Sequence, residues 1–418
     1  MGRQVAVVGG GAAGMTAAIQ AAKSGAAVTV YEKNDRVGKK ILSTGNGRCN
    51  FSNEAMETRF FHGSGTALAD TVLSRFDVAM TKEFFSSLGM RMKDRDGYLY
   101  PASDQASTVL DLLRYELARR GVEIHTGEAV KDLSFDGKRE KFLISGQSKG
   151  GFYDSVILAC GGCAAPNTGS DGDGYRLAKK FGHRIVTPAP ALVALRCKET
   201  FYKQVAGVRC DAALTLCVAG KPVGRERGEL QLTDYGISGI PTFQISGAAA
   251  RALQGKKSVA VRISFLPDLD ANSCDDFFRT RLQEHGEDTM EVFLTGLVNK
   301  KINQLLLKLA DIREGTKAKD VPFEAFQRLK ELYCCLETEV AGTNGFEKAQ
   351  VSAGGVDCGE VTDTLMSKRQ RGLYFAGEIL DIDGLCGGYN LQWAWSSGAV
   401  AGRAAAQGEL PGQEFTGI

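Results

Sequence analysis

The chain lacks the marks of a membrane, secreted or polyanion-binding protein. No apolar run approaches the roughly 20 residues that cross a bilayer. No excess of one charge is present: 51 Lys and Arg stand against 49 Asp and Glu in 418 residues. That balance gives no electrostatic reason to expect a nucleic-acid partner. Only 4 histidines occur, His62, His125, His183 and His285, and they are too dispersed to suggest a metal site. Internal repeats and low-complexity tracts are absent. The chain enters a strand at once, without the regions of a signal peptide, so a cytoplasmic location is expected. Eleven scattered cysteines fit free thiols in a reducing compartment better than a disulfide framework.

What is present is glycine, 51 residues of it, and a length that implies two or three domains. The first 32 residues are the most informative. Gln4–Val8 is an apolar run of strand length. Gly9-Gly10-Gly11-Ala12-Ala13-Gly14 follows and fits G-x-G-x-x-G. Helix-forming residues run from Met15 to Lys23, and a second apolar strand, Ala27 to Tyr31, ends in Glu32. This is the dinucleotide-binding fingerprint between strand and helix. Gly9 permits a sharp turn, Gly11 lets a pyrophosphate approach the backbone, and Gly14 lets helix and strand pack closely. The helix N-terminus offers unpaired N–H groups to phosphate. Glu32 stands where a carboxylate can bond ribose hydroxyls. The alternative is a glycine-rich turn in an unrelated α/β domain.

Further along, residues 33–53 read as a polar loop. Helices are predicted at Gly65–Phe76, Val78–Leu88 and Ser107–Arg120, with a hairpin at Met90–Pro101 turning at residues 94–97. Strands are predicted at Val122–His125, Ala129–Phe135, Lys141–Ser145 and Ser155–Ala159, then a helix at Asp173–Phe181. After Pro188 and Pro190 the texture alternates like antiparallel strands, at Ala191–Cys197, Val205–Ala219, Glu229–Thr233 and Ser258–Leu266, with a helix at Pro241–Leu253. Cys274–His285, Thr289–Leu309 and Phe323–Leu336 read as helices. The α/β texture then returns. The expected organisation is a discontinuous nucleotide-binding domain, 1–187 and 343–418, interrupted by a β domain at 188–267 that walls the substrate and a helical domain at 268–342. The expected class is α/β, a Rossmann-like FAD-binding domain with an inserted β-barrel-like unit and a small helical bundle.

Three more segments bear on chemistry. Residues 37–50, VGKKILSTGNGRCN, carry small residues, amides and basic groups, suited to a phosphate and a planar ring or else a plain surface loop. Phe375-Ala376-Gly377-Glu378 and Gly387-Gly388-Tyr389-Asn390-Leu391 present an acid at a strand end and a glycine pair opening a helix. The acid can bond a ribityl or ribose hydroxyl, and a second helix N-terminus can stabilise a reduced flavin. This second device favours FAD over NAD. Leu158-Ala159-Cys160-Gly161-Gly162 suits another pass near the cofactor, while Asp171 or Asp173 fits a helix cap. Cys49, and the Cys160/Cys163 C-x-x-C, are candidate reactive thiols set against simple packing roles.

The fingerprint, STGNGRCN at 43–50, TGSDGDGY at 168–175, QVSAGGVD at 350–357 and the run 375–398 resemble, over essentially the whole chain, the bacterial aminoacetone-oxidase-like FAD-binding flavoproteins, a family that includes bile-acid 3-dehydro-delta-4,6-reductases. The outer domain is more distantly similar to fumarate-reductase and glutathione-reductase-type folds. The resemblance implies FAD held by Gly9, Gly11, Ala12, Ala13, Gly14, Glu32, Lys33, Lys39, Thr44, Gly45, Asn46, Gly47, Asn50, Val130, Ala159, Gly161, Gly377, Glu378, Gly388, Tyr389, Asn390 and Leu391. It implies reduction of a conjugated C=C bond in a 3-oxo bile-acid intermediate or, alternatively, oxidation of a small amine such as aminoacetone. A flavin-binding sensor and a nucleic-acid-modifying flavoenzyme are the readings from other classes. Ala164-Ala165-Pro166 departs from a Ser-Tyr-Pro pattern common in the family. Arg48 and Tyr389 are candidate catalytic groups, against phosphate-binding and helix-start roles. Tyr202, Tyr235 and Phe243 would suit a flat apolar substrate or simply the core. One fingerprint leaves no separate nicotinamide domain, so NADH or NADPH is expected to donate only in passing.

Overall fold

The computed structural model describes residues 2–408. It divides into two compact units, residues 2–188 with 350–408 and residues 189–349. In the first, five parallel strands lie in the order Leu373–Phe375, Ser155–Leu158, Gln4–Val8, Ala27–Tyr31, Glu123–His125. The central strands are apolar on both faces because both are covered, one by helices and the other by a small antiparallel sheet. Val5, Ala6 and Val7 are fully buried, as are Val156, Ile157 and Leu158.

Two helices rich in small residues pack on this sheet, Ala12–Lys23 and Tyr389–Gln407. Their backbones approach closely because facing positions have no side chain. A Cβ on Gly398 would stand 2.5 Å from the Ala13 carbonyl oxygen, and one on Gly402 2.3 Å from that of Ala17. The hairpin is Met92–Arg95 with Tyr98–Pro101. A smaller antiparallel sheet includes Gly150–Tyr153, a strand that the periodicity did not reveal.

Buried His183 ties the 360–370 region down. Its ring nitrogens lie 2.7 Å from the Ser367 hydroxyl and 3.1 Å from Glu360. Burial pushes the imidazole below its ordinary value of 6.5, while Glu360 pulls the other way. Arg369 holds Glu360 down at about 2. The folded chain thus favours neutral His183. Its contribution to stability is complete above pH 6.5 and is lost as pH falls through the lower folded value. The Glu360 contribution persists above 4.5 and fades only toward about 2. Urea melts between pH 8 and 5 should show a decline that His183→Gln flattens. Equal slopes in the two proteins would contradict this.

The second unit is a closed six-stranded barrel, in the order Leu195–Cys197, Gly236–Gly239, Lys221–Thr233, Arg209–Val218, Val259–Ser264, Leu336–Thr343. Helices Ala271–His285, Lys300–Leu309 and Phe323–Cys335 share one apolar core with it, including Phe278, Leu306 and Tyr333. Two expectations are corrected. Residues 336–342, assigned to a helical domain, are strand: Leu336, Thr338 and Val340 are buried alternately with exposed neighbours. The helix expected over Thr289–Leu309 is two, Met290–Leu294 and Lys300–Leu309. Gly296 at φ +90° breaks it, and Asn299 caps the second part by accepting the Lys301 N–H. Of the two readings of Tyr202, the core one holds, since it is 1% exposed.

Candidate functional site

A cleft opens at the carboxyl ends of the parallel strands in the first unit. This is where ligands bind in open α/β sheets. Val8, Tyr31, Ala159 and Ala376, the residues where four strands end or have just ended, all line it.

The fingerprint glycines divide by what their missing side chains allow. Gly9 has φ +104°, and a Cβ there would meet the Ala159 carbonyl oxygen at 2.5 Å. A Cβ on Gly14 would lie 1.9 Å from the Gly9 oxygen. Both serve the protein's own packing. Gly11 differs: an added Cβ would meet nothing within 4 Å, and Gly11 lines the cleft. It is also the N-cap of its helix, and no side chain caps that end. The first-turn N–H groups and the macrodipole are therefore left for a ligand. An open glycine, an uncapped helix start and a large cleft fit a bound pyrophosphate.

Glu32 is buried on the cleft wall. One carboxylate oxygen accepts the Gly10 N–H at 2.8 Å, and the other accepts both the backbone and side-chain N–H of Asn34 at 2.8 Å. It thus holds the turn as well as facing the cleft, and each oxygen retains further acceptor capacity. Lys33 pairs with Asp171 at 2.5 Å. Asp171 also accepts the Asp173 N–H, so it, rather than Asp173, takes the capping role, with Gly172 at the N-cap position itself.

At the far end, Glu378 receives Lys40 at 2.7 Å and the Ser352 N–H at 2.8 Å. The Ser352 hydroxyl in turn accepts the Cys163 and Ala164 N–H groups at 2.7 and 2.9 Å. Asn390 clamps its own loop, bonding both the N–H and the carbonyl of Gly384 at 2.8 Å. The Trp393 indole donates to the Gly377 carbonyl at 3.1 Å.

Of the residues singled out by sequence, Gly9, Gly11, Ala12, Ala13, Glu32, Lys33, Lys39, Thr44, Val130, Ala159, Gly161, Gly377, Glu378, Asn390 and Leu391 line the cleft. Gly14, Gly45, Asn46, Gly47, Asn50, Gly388 and Tyr389 do not. Reasons are visible for several. A Cβ on Gly388 would sit 2.4 Å from the Ser52 carbonyl oxygen, so its glycine serves a chain crossing. Asn50 donates to the carbonyls of Ser52 and Leu99, pinning the loop to the hairpin. The Tyr389 ring packs against Phe60 and Phe61 at 5.0 and 6.1 Å. Burial pushes its hydroxyl above the ordinary value. Arg48 is exposed and also lies off the lining, so neither catalytic candidate sits at the cleft wall.

The thiols are poor nucleophiles. Burial pushes Cys49 and Cys160 to about 12 and raises Cys163 too, whereas reactive thiols are lowered. Sequence reasoning missed Lys40, Asn34, Ser170, Val351 and Trp393 on the lining. Lys40 is the instructive case. Its neighbour Lys39 pairs with Asp35, which is 74% exposed, whereas Lys40 reaches a carboxylate 338 positions away.

Residues 3–404 match the model described as HI0933-like protein Rossmann domain. The chain belongs to the HI0933-like family. Within reach of this HI0933-like chain is the 3-dehydro-bile acid delta(4,6)-reductase of Clostridium scindens, 46% identical over 97% of this chain and 99% of that one. The ribosomal RNA dihydrouridine synthase of Haemophilus influenzae is 28% identical over 94% and 95%. Balanced charge alone therefore does not exclude a nucleic-acid substrate. Among solved structures, a 3-ketosteroid delta1-dehydrogenase from Sterolibacterium denitrificans superposes with TM-score 0.50 at 13% identity, covering 97% of this chain and 100% of that one. That likeness speaks to fold: the FAD-binding Rossmann-like class expected from sequence is the one observed. No helix among the described residues is long and apolar enough to cross a membrane. No group of three or more potential metal ligands occurs among them.

Proposed function

We propose that this chain is an FAD-dependent oxidoreductase that reduces a conjugated C=C bond in a 3-oxo bile-acid or steroid-like substrate. The observation that carries the reading is the 46% identity to a bile-acid reductase over nearly the full length of both chains. The glycine-lined cleft supports it.

FAD, when bound, supplies hydride transfer through flavin N5. The chain's own residues do the rest. Gly11, Ala12 and Ala13 offer backbone N–H groups to the pyrophosphate. Glu32 holds the ribose, and Val130 meets the adenine. Glu378, with Asn390 and Leu391 in the first turn of the last helix, would hold the ribityl end. Ile41, Val351, Ile382, Leu391 and Trp393 give that cleft an apolar wall, which excludes water and strengthens electrostatics. Lys40, ion-paired to Glu378, is the cation able to stabilise negative charge there. NADH or NADPH is the proposed reductant, binding in passing.

The test is anaerobic incubation with a 3-oxo-4,6-diene bile acid and NADH or NADPH, read by mass spectrometry. A product heavier by two or four hydrogens is expected. Unchanged diene, with oxidation of a small amine in air, would overturn the reading in favour of an oxidase. Hydrogen uptake by ribosomal RNA instead would overturn it in favour of RNA modification.

A further inference from the structure

The hairpin Met92–Arg95 with Tyr98–Pro101 has two unlike faces. Lys93 pairs in register with Tyr100, and Arg95 with Tyr98. Alternation therefore puts these two cations and two tyrosines on one face. Leu99, buried in the core, and Asp94 share the other, where Asp94 accepts the Gly97 N–H. On the first face, both Lys93 and Arg95 lean on a single carboxylate, Asp104. Arg48 acts electrostatically on that same Asp104 and on Tyr100. Arg48 is exposed and forms no ion pair among the described residues. Two cations thus share one carboxylate, and a third, Arg48, has none of its own.

An aromatic strip runs beside them. The Tyr98 ring, 41% exposed, packs on Gly387, where a Cβ would stand 2.8 Å from it and 3.3 Å from the Tyr389 ring. Tyr389 is itself buried and backs this strip, packing on Phe60 at 5.0 Å, and Arg59 lies over the Phe60 ring at 4.9 Å. The patch adjoins the cleft along the chain at two points. Thr44 lines the cleft four residues before Arg48, and Leu391 lines it four residues after Gly387.

We infer that this face recognises the anionic end of an amphipathic substrate: the ring body lies along exposed Tyr98, and a carboxylate is met by Arg48 and Arg95. The inference rests on the reading of a bile-acid-like substrate and names what would select the acid among apolar ring compounds. A charged hydrogen bond of this kind corresponds to about tenfold in affinity. It weakens with salt because the site is open to solvent.

The experiment is calorimetric titration of the purified flavoprotein with a saturated 3-oxo bile acid and with its methyl ester. The acid is expected to bind about tenfold more tightly, with the preference shrinking as salt rises. Arg48→Glu should abolish or invert it, and Arg95→Gln should reduce it. Equal affinity for acid and ester in the unmodified protein would overturn the inference. So would a preference unchanged in Arg48→Glu, or loss of bound flavin in that variant, which would place Arg48 on the cofactor. Reduction of a neutral 3-oxo-4-ene steroid, measured alongside, separates the two claims. Turnover without acid preference sinks this inference alone. Acid preference that follows Arg48 without any turnover sinks the assigned reaction alone.

Discussion

Gly11→Val is expected to purify folded and without flavin. The residue has φ −80° and ψ −168°, extended backbone that any residue adopts, and a Cβ there meets nothing within 4 Å. The protein itself therefore has no objection to the side chain. The only thing displaced is whatever approaches the helix N-terminus from the cleft. Affinity for FAD should fall at least about 100-fold, equivalent to roughly 2.7 kcal/mol, while circular dichroism and the urea midpoint stay unchanged. Gly14→Val is the contrast, since its Cβ would meet the Gly9 oxygen at 1.9 Å and should damage folding itself. Full flavin content in Gly11→Val would remove the pyrophosphate from this helix.

Trp395→Ala should be strongly destabilising. The side chain is fully buried, stands edge-on to Phe85 at 5.2 Å, and donates its indole N–H to the Phe51 carbonyl at 2.9 Å. Large-to-small changes at such sites cost about 3–5 kcal/mol. Trp395→Phe keeps most of the volume but leaves that carbonyl unpaired, for about 1–3 kcal/mol. The chain has only 2 tryptophans, so the emission of Trp393 on the cleft wall reports unfolding in both variants. A loss below about 1 kcal/mol in Trp395→Ala would contradict the packing described.

What the sequence made legible follows the range of the interactions involved. The first strand, turn, helix and second strand are local, with a glycine at each tight place, and their positions are read within three residues. The barrel strands show the two-residue alternation, although Leu336–Thr343 was obscured because it continues directly from a helix. The Lys40–Glu378–Ser352 arrangement had no local signal, since its members meet only when the first and last segments of the sheet come together. Gly388 carried a misleading one. Its glycine reads as room for a ligand, yet Ser52 occupies that room. Tyr389 opens a helix in the right motif, but its ring direction is set by Phe60 and Phe61, which no spacing rule relates to it.

The cleft is proposed to hold a flavin which passes hydride to a conjugated ketone. The most direct measurement is an anaerobic absorbance titration of the purified protein with NADH and NADPH, followed by a conjugated 3-oxo steroid and, separately, by air. A flavin spectrum that bleaches with a nicotinamide, recovers rapidly with the enone and slowly in air is the predicted result. A protein with no flavin spectrum that also fails to bind added FAD, or one whose reduced flavin ignores the enone, would contradict it.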